Sequence, residues 1–109
     1  MSFEVITSSN FAKQLKKLSK KYASLKQEVF LLGESLSENP TLGTPIGKEC
    51  YKIRLAIRSK GKGKSGGARV ITCVVALKES VILLSIYDKS EQENIEDKEL
   101  ERLLDENIL

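Results

Sequence analysis

The sequence contains no histidine. The side chain that titrates nearest neutrality is missing, so any acid–base chemistry falls to Lys, Arg, Tyr or carboxylates. Only two cysteines occur, Cys50 and Cys73. Each lies in a strand-like run without the close spacing of a metal site; they read as partly buried thiols in a reducing compartment, and no metal or other cofactor is expected. No apolar run reaches the roughly 18 residues that span a bilayer. The N-terminus also lacks the apolar stretch and small-residue cleavage site of a secretion signal, so the protein is expected to stay in the cytoplasm, away from membranes. What is present is a globular balance, 40% hydrophobic and 30% charged over 109 residues. That suits a single domain, residues 1–109, around one modest core.

The net charge of +3 conceals a division. Residues 1–78 carry 15 Lys/Arg against 5 Asp/Glu, whereas residues 79–109 carry 3 against 10. A basic working surface and an acidic terminal segment are the simplest reading. A basic surface attracts phosphates through counterion release.

Phe3 to Thr7 alternates as a short strand. Ser8 or Ser9 can cap the helix that follows, in which Phe11, Leu15, Leu18, Tyr22 and Leu25 recur at steps of four and three and define one face. Lys13, Lys16, Lys17, Lys20 and Lys21 fill the other positions. A second helix presents Leu25, Val29, Leu32 and Leu36, with Ser24 and Gln27 at capping-box spacing. Asn39-Pro40 ends it, because proline lacks the amide donor and restrains its predecessor. The two helices are expected to form an antiparallel hairpin.

Residues 40–48 read as a loop. Tyr51 to Arg58 then alternates strictly: Tyr51, Ile53, Leu55 and Ile57 point one way, and Lys52, Arg54 and Arg58 the other, with Ala56 between. Residues 59–67 form a basic, glycine-rich connection carrying Lys60, Lys62 and Lys64. Two mostly apolar strands follow, Arg69 to Leu77 and Val81 to Tyr87, and their composition predicts central positions. A helix from about Asp97 packs Leu100, Leu103, Leu104 and Ile108. The expected architecture is α+β: an N-terminal strand and helical hairpin on a small, mainly antiparallel sheet of about four strands, closed by a C-terminal helix.

Gly63-Lys64-Ser65 matches the end of a phosphate-binding loop, but the first glycine of that motif would fall at Arg58, and the segment joins two strands instead of opening a helix. The connection is therefore either a solubilising hairpin loop or a flexible cationic finger on a polyanion. The cation row is sharper. Lys52 and Arg54 share a strand face, and in a hairpin Arg69 can lie beside them. Like charges so placed repel one another, a cost that an anionic ligand would offset. Tyr87, Asp88 and Lys89 end the last strand and border the same region if that strand neighbours Arg69.

Three segments carry a resemblance. Tyr51-Lys52-Ile53-Arg54-Leu55 looks like the central strand of RelE-type toxins. Lys62 to Ile71, ending in Gly67-Ala68-Arg69-Val70-Ile71, is similar to the following strand, most of all in the HigB-type branch. Leu84-Ser85-Ile86-Tyr87-Asp88-Lys89-Ser90-Glu91 looks like the final strand with its basic end. The likeness runs in order along essentially the whole chain. It implies a microbial ribonuclease-type fold and the toxin half of a type II toxin–antitoxin pair, which cleaves mRNA in the ribosomal A site by 2′-hydroxyl attack on the adjacent phosphate. By resemblance Lys52 serves as base or orients it, Arg54 binds phosphate, Arg69 stabilises the phosphorane and Lys89 assists the leaving 5′-oxygen. Tyr87 is a substitute base or a stacking platform. Lys13, Lys16, Lys17, Lys20, Arg58, Lys60, Lys62 and Lys64 are the expected contacts to ribosomal and messenger RNA. The implied partners are a cognate antitoxin, the ribosome and mRNA, with operator DNA reached only through the toxin–antitoxin complex. The pattern departs at Ile95, which falls near a functional tyrosine of RelE, and an arginine at 54 stays protonated and cannot serve as a base. A ParE-like gyrase inhibitor, or an inactive member that binds only antitoxin and operator, shares the fold.

Overall fold

The computed structural model describes residues 2–61 and 63–108. The order of elements is β1 (Glu4–Thr7), α1 (Ser9–Lys21), α2 (Leu25–Glu38), β2 (Thr44–Gly47), β3 (Cys50–Leu55), a 3-10 turn at Arg58–Lys60, β4 (Ala68–Val75), a second at Ala76–Lys78, β5 (Ser80–Asp88) and α3 (Asp97–Ile108). The five strands form one sheet in the order β1-β5-β4-β3-β2; β1 lies parallel to β5 and the other pairs are antiparallel. The expected α+β architecture is therefore present, with a fifth strand, β2, inside the segment read as a loop.

That strand is joined to β3 by a two-residue turn in which Lys48 and Glu49 both take positive φ, 57° and 62°. A hairpin turn of this type normally selects Asn or Gly at those positions. Lys-Glu gives no such signal. β2 also breaks register between Pro45 and Gly47. It covers only Cys50, Tyr51 and Lys52 of β3, so the strand's second half forms an edge.

Ser8 caps α1: its backbone is extended and its hydroxyl accepts the Phe11 amide at 3.1 Å. Lys20 and Lys21 in the last turn complement the helix dipole. The expected capping box at α2 does not form. Ser24 is already helical, and its hydroxyl donates to Glu28 and accepts the Ser59 amide at 3.0 Å instead of an amide of its own helix. α2 ends where expected, with the Asn39 amide bonded to Ser35 O at 2.8 Å.

The sheet is covered on both faces. Phe11, Tyr22, Leu25, Val29, Leu32 and Leu36 from the helical hairpin pack on Ile53, Val70, Val81, Leu83 and Ile86. On the other face Leu100 and Leu103 of α3 pack on Cys50, Ile71, Cys73, Ile82 and Leu84. Each fully buried large side chain contributes about 2 kcal/mol. No helix among the described residues is long and apolar enough to cross a membrane.

β1 pairs with β5 only through Leu83. Beyond it, side chains of α1 take the place of a strand. Asn10 donates to Leu84 O at 2.9 Å, and Gln14 Oε1 accepts the Ile86 amide at 2.9 Å. At the same point β5 carries a bulge: Ile71 opposes Ser85 while Thr72 opposes Leu83, leaving Leu84 as the extra residue. A bulge reverses the alternation beyond it. Ile86 consequently turns to the hairpin side and Tyr87 to the α3 side.

Candidate active site

The α3-side face of the sheet carries Arg54, Arg69 and Tyr87 in direct register across β3, β4 and β5. Lys52 lies two residues along β3 on the same face. The strand ends at Leu55, so the alternation read through Arg58 breaks there. Ile57 still enters the hairpin core, but Arg58 opens a 3-10 turn and leaves the row. Its amide donates to Glu28 at 2.7 Å and its guanidinium lies 3.5 Å from the same carboxylate.

Arg54 is exposed, and with Lys64 it lines a cleft of about 540 Å³ between α2 and β3. Arg69 differs from its expected role as an exposed phosphate ligand. It is 5% exposed, and its guanidinium donates to the carbonyls of Lys64, Ala68 and Ser65 at 3.0–3.1 Å. Arginine's fixed fork of donors suits this clamp. Arg69 thereby holds the stretch of the basic connection that presents Lys64. Gly67 completes the approach: a Cβ there would collide with the Leu55 carbonyl, while its own carbonyl accepts the Lys89 amide at 3.0 Å.

Tyr87 is 6% exposed, and its hydroxyl has no hydrogen-bond partner among the described residues. Burial raises the phenol above its ordinary pKa, with Glu93 adding to the rise and the Arg69 charge opposing it. At neutral pH the group is a hydrogen-bond donor, not a base. Lys52 donates to Asn94 at 2.8 Å, and the Lys89 ammonium lies 3.8 Å from Glu93. The segment between β5 and α3 therefore lies along the cation face, Glu93 beside Lys89 and Asn94 beside Lys52. Ile95 packs into the apolar cluster under α3 and supplies no hydroxyl. The acids of α3 itself face solvent, in pairs such as Lys48–Glu101 and Arg102–Glu99.

Lys60, expected at the RNA surface, is instead a buried structural cation. Its ammonium, 10% exposed, pairs with the fully buried carboxylate of Asp88. Tyr22 donates to the same carboxylate at 2.7 Å, and the Ser90 amide and hydroxyl donate at 2.9 and 2.7 Å. Burial works to raise the Asp88 pKa, but these donors outweigh it and hold the carboxyl well below the usual range. Reading the sequence alone missed Asp88 as an anchor, and Asn94 too, because both contacts join segments far apart in the chain. Lys13, Lys16, Lys17 and Lys20 are exposed on α1, and Lys17 shares a cleft of about 260 Å³ with Tyr87. Lys62 lies outside the described residues. No group of three or more Cys, Asp or Glu side chains converges as a metal site among the described residues.

A sheet of this order, with cations and a buried phenol aligned across its three adjacent antiparallel strands, defines a compact α+β protein with cations in register on one face. A family profile described as the RelE toxin of the RelE/RelB toxin–antitoxin system matches residues 5–106. The chain belongs to the RelE toxin family. Its fold is similar to that of a mutant E. coli toxin RelE in the free state, with a TM-score of 0.63 at 15% identity, covering 99% of this chain and 100% of that one. It is also similar to a chain of the intact E. coli RelBE toxin–antitoxin complex, with a TM-score of 0.61 at 19% identity over 79% of this chain and 95% of that one. For the RelBE2 toxin–antitoxin complex of Mycobacterium tuberculosis the values are 0.59, 16%, 81% and 99%.

Proposed function

We propose that this protein is a ribosome-dependent endoribonuclease that cleaves mRNA in the A site, and that a cognate antitoxin restrains it. The observation that carries the reading is the register of Arg54, Arg69 and Tyr87 across three strands, with Lys52 on the same face. Cleavage by 2′-hydroxyl attack develops negative charge on the phosphate, and preorganised cations and donors stabilise that charge. Arg54 and Lys64 are the exposed cations suited to the phosphate. Tyr87, held protonated by burial, supplies a further donor. Once Asn94 releases it, Lys52 orients the 2′-hydroxyl, whose proton leaves to water as the oxygen attacks the phosphate, and Lys89 protonates or shields the leaving 5′-oxygen. Arg69 acts one step back, by fixing the carbonyls of Lys64 and Ser65. The sequence has no histidine, and the ribosome would compensate by orienting the RNA. The lysines of α1 dock on ribosomal RNA.

The antitoxin is inferred from the RelBE complexes of similar fold. Since segment 93–94 already lies against Lys52 and Lys89, an antitoxin segment with acidic and amide side chains would meet the same cations. The burial of Arg69 favours a second reading, an inactive member that binds only antitoxin and operator. Mapping mRNA 5′ ends in a translating bacterial extract decides between them. Cleavage inside ribosome-bound codons, lost in Arg54→Ala, is the expected result; intact mRNA in the presence of folded protein would favour the inactive binder or a gyrase inhibitor.

A further inference from the structure

The two cysteines, 23 positions apart in sequence, are direct neighbours in the sheet. Cys50 of β3 opposes Cys73 of β4. The Val74 amide bonds to Glu49 O at 2.9 Å, so Glu49 and Val74 form a hydrogen-bonded pair. The adjacent pair, Cys50 and Cys73, is then a non-hydrogen-bonded one, where antiparallel strands approach to about 4.5 Å between Cα atoms and side chains lie closest. That separation falls inside the roughly 4.4–6.8 Å that a disulfide accepts. Both side chains point to the α3 side, into one apolar cluster with Ile71, Ile82, Leu100 and Leu103.

We propose that Cys50 and Cys73 form an oxidation site, which closes reversibly into one intramolecular disulfide when the protein meets a small peroxide. The chain holds no third cysteine to compete. Cys73 lines a cavity of about 290 Å³ with Lys48, Val75, Leu104 and Ile108, ample for a molecule near the size of water, whose own volume is about 30 Å³. Each thiol donates to a backbone carbonyl, Cys50 to Lys48 O at 3.5 Å and Cys73 to Val74 O at 3.9 Å. The neighbouring Cys50 thiol draws the pKa of Cys73 down against the effect of its burial, and the Cys73 thiol together with burial pushes that of Cys50 up. Cys73, the sulfur that lines the cavity, is the one placed to attack. Its thiolate takes one oxygen from hydrogen peroxide, becoming a sulfenic acid, and the other oxygen leaves as water after protonation. The Cys50 sulfur then displaces the sulfenic oxygen as a second water. Two thiols and one peroxide become one disulfide and two waters, a two-electron oxidation. The bond would tie β3, which carries Lys52 and Arg54, to β4, which carries Arg69. This site stands independently of the nuclease reading.

The test is intact mass and thiol counting on the folded, full-length protein. After hydrogen peroxide treatment and alkylation of the unfolded protein, the expected result is loss of both alkylatable thiols and of two hydrogens in mass. A peptide joining Cys50 to Cys73 should appear, and dithiothreitol should restore both thiols. The oxidised protein should melt several degrees higher, since the cross-link closes a long loop. Cys50→Ser should instead yield an unpartnered, over-oxidised or intermolecularly linked Cys73. Two fully alkylatable thiols after peroxide, separate sulfinic acids at both positions, or a cross-link only between copies would overturn the proposal.

Discussion

Tyr87 lies opposite Arg69 on the α3-side face because β5 carries one residue more than β4 at the Leu84 bulge. Without that residue the alternation of β5 would send Tyr87 toward the helical hairpin. The bulge is fixed from outside the sheet by the Asn10 and Gln14 side chains. A helix-terminal hydroxyl and two amides thus decide which face receives the phenol.

Tyr87→Phe separates stability from activity. The Tyr87 hydroxyl is buried without a partner among the described residues, and a buried unsatisfied donor costs about 1–3 kcal/mol. Removing it should leave urea stability unchanged or raise it by ~1 kcal/mol. If the hydroxyl donates to the phosphate, cleavage should fall by about 10²-fold, the scale for loss of one preorganised donor. Full activity in a stable Tyr87→Phe protein would remove the phenol from the mechanism and leave it a packing role.

Arg69→Lys tests whether this residue acts through the connection it clamps. Lysine keeps the charge but not the fork that reaches three carbonyls. Protection of the Gly67 and Lys89 amides, which bond to this connection, from hydrogen exchange should fall, and cleavage should drop in parallel. Activity lost with amide protection unchanged would instead assign Arg69 a direct contact with the phosphate.

Much of this was legible in the sequence and some was not, for identifiable reasons. The helix faces, the end of α2 at Asn39-Pro40 and the two central strands follow from periodicity, proline's missing donor and apolar composition, which are local. The Lys52–Arg54 row follows from alternation. β2 escaped because its turn places Lys48 and Glu49 at positive φ where Asn or Gly would have announced it. The bulge escaped because Val81 to Leu84 is apolar throughout and shows no alternation to interrupt. Lys60 read as one more surface lysine because its partner, Asp88, lies 28 positions away. Arg69's position was predicted from the resemblance, but its burial depends on how the connection folds back.

Asp88→Asn should destabilise the protein and change its response to acid. The substitution leaves the Lys60 ammonium buried without a counter-charge, a loss of about 3 kcal/mol on the scale of broken buried pairs. The sign with pH follows from linkage. The folded Asp88 pKa lies below its unfolded value, so its contribution is complete above about pH 4 and is lost as pH falls further. Urea midpoints measured from pH 6 down to pH 2 should therefore fall more steeply for the wild type than for Asp88→Asn, with the two curves converging in acid. Parallel curves would mean that Asp88 does not carry this acid sensitivity.

The α1 lysines make a prediction about salt, separate from chemistry. Lys13, Lys16, Lys17 and Lys20 are exposed, and none of them touches the Arg69 clamp or the Asp88 anchor. Replacing all four by Gln should spare the fold, because the apolar stripe of Phe11, Leu15, Leu18 and Tyr22 is untouched. Each phosphate contact releases counterions and adds roughly 0.7–0.9 to the slope of log affinity against log salt. If these lysines dock on ribosomal RNA, the variant should bind ribosomes more weakly at low salt, with a visibly shallower slope. Steered association should also slow. An unchanged slope in sedimentation binding across a salt series would move the docking surface elsewhere, and the cleft that Arg54 and Lys64 share would be the next cationic region to neutralise.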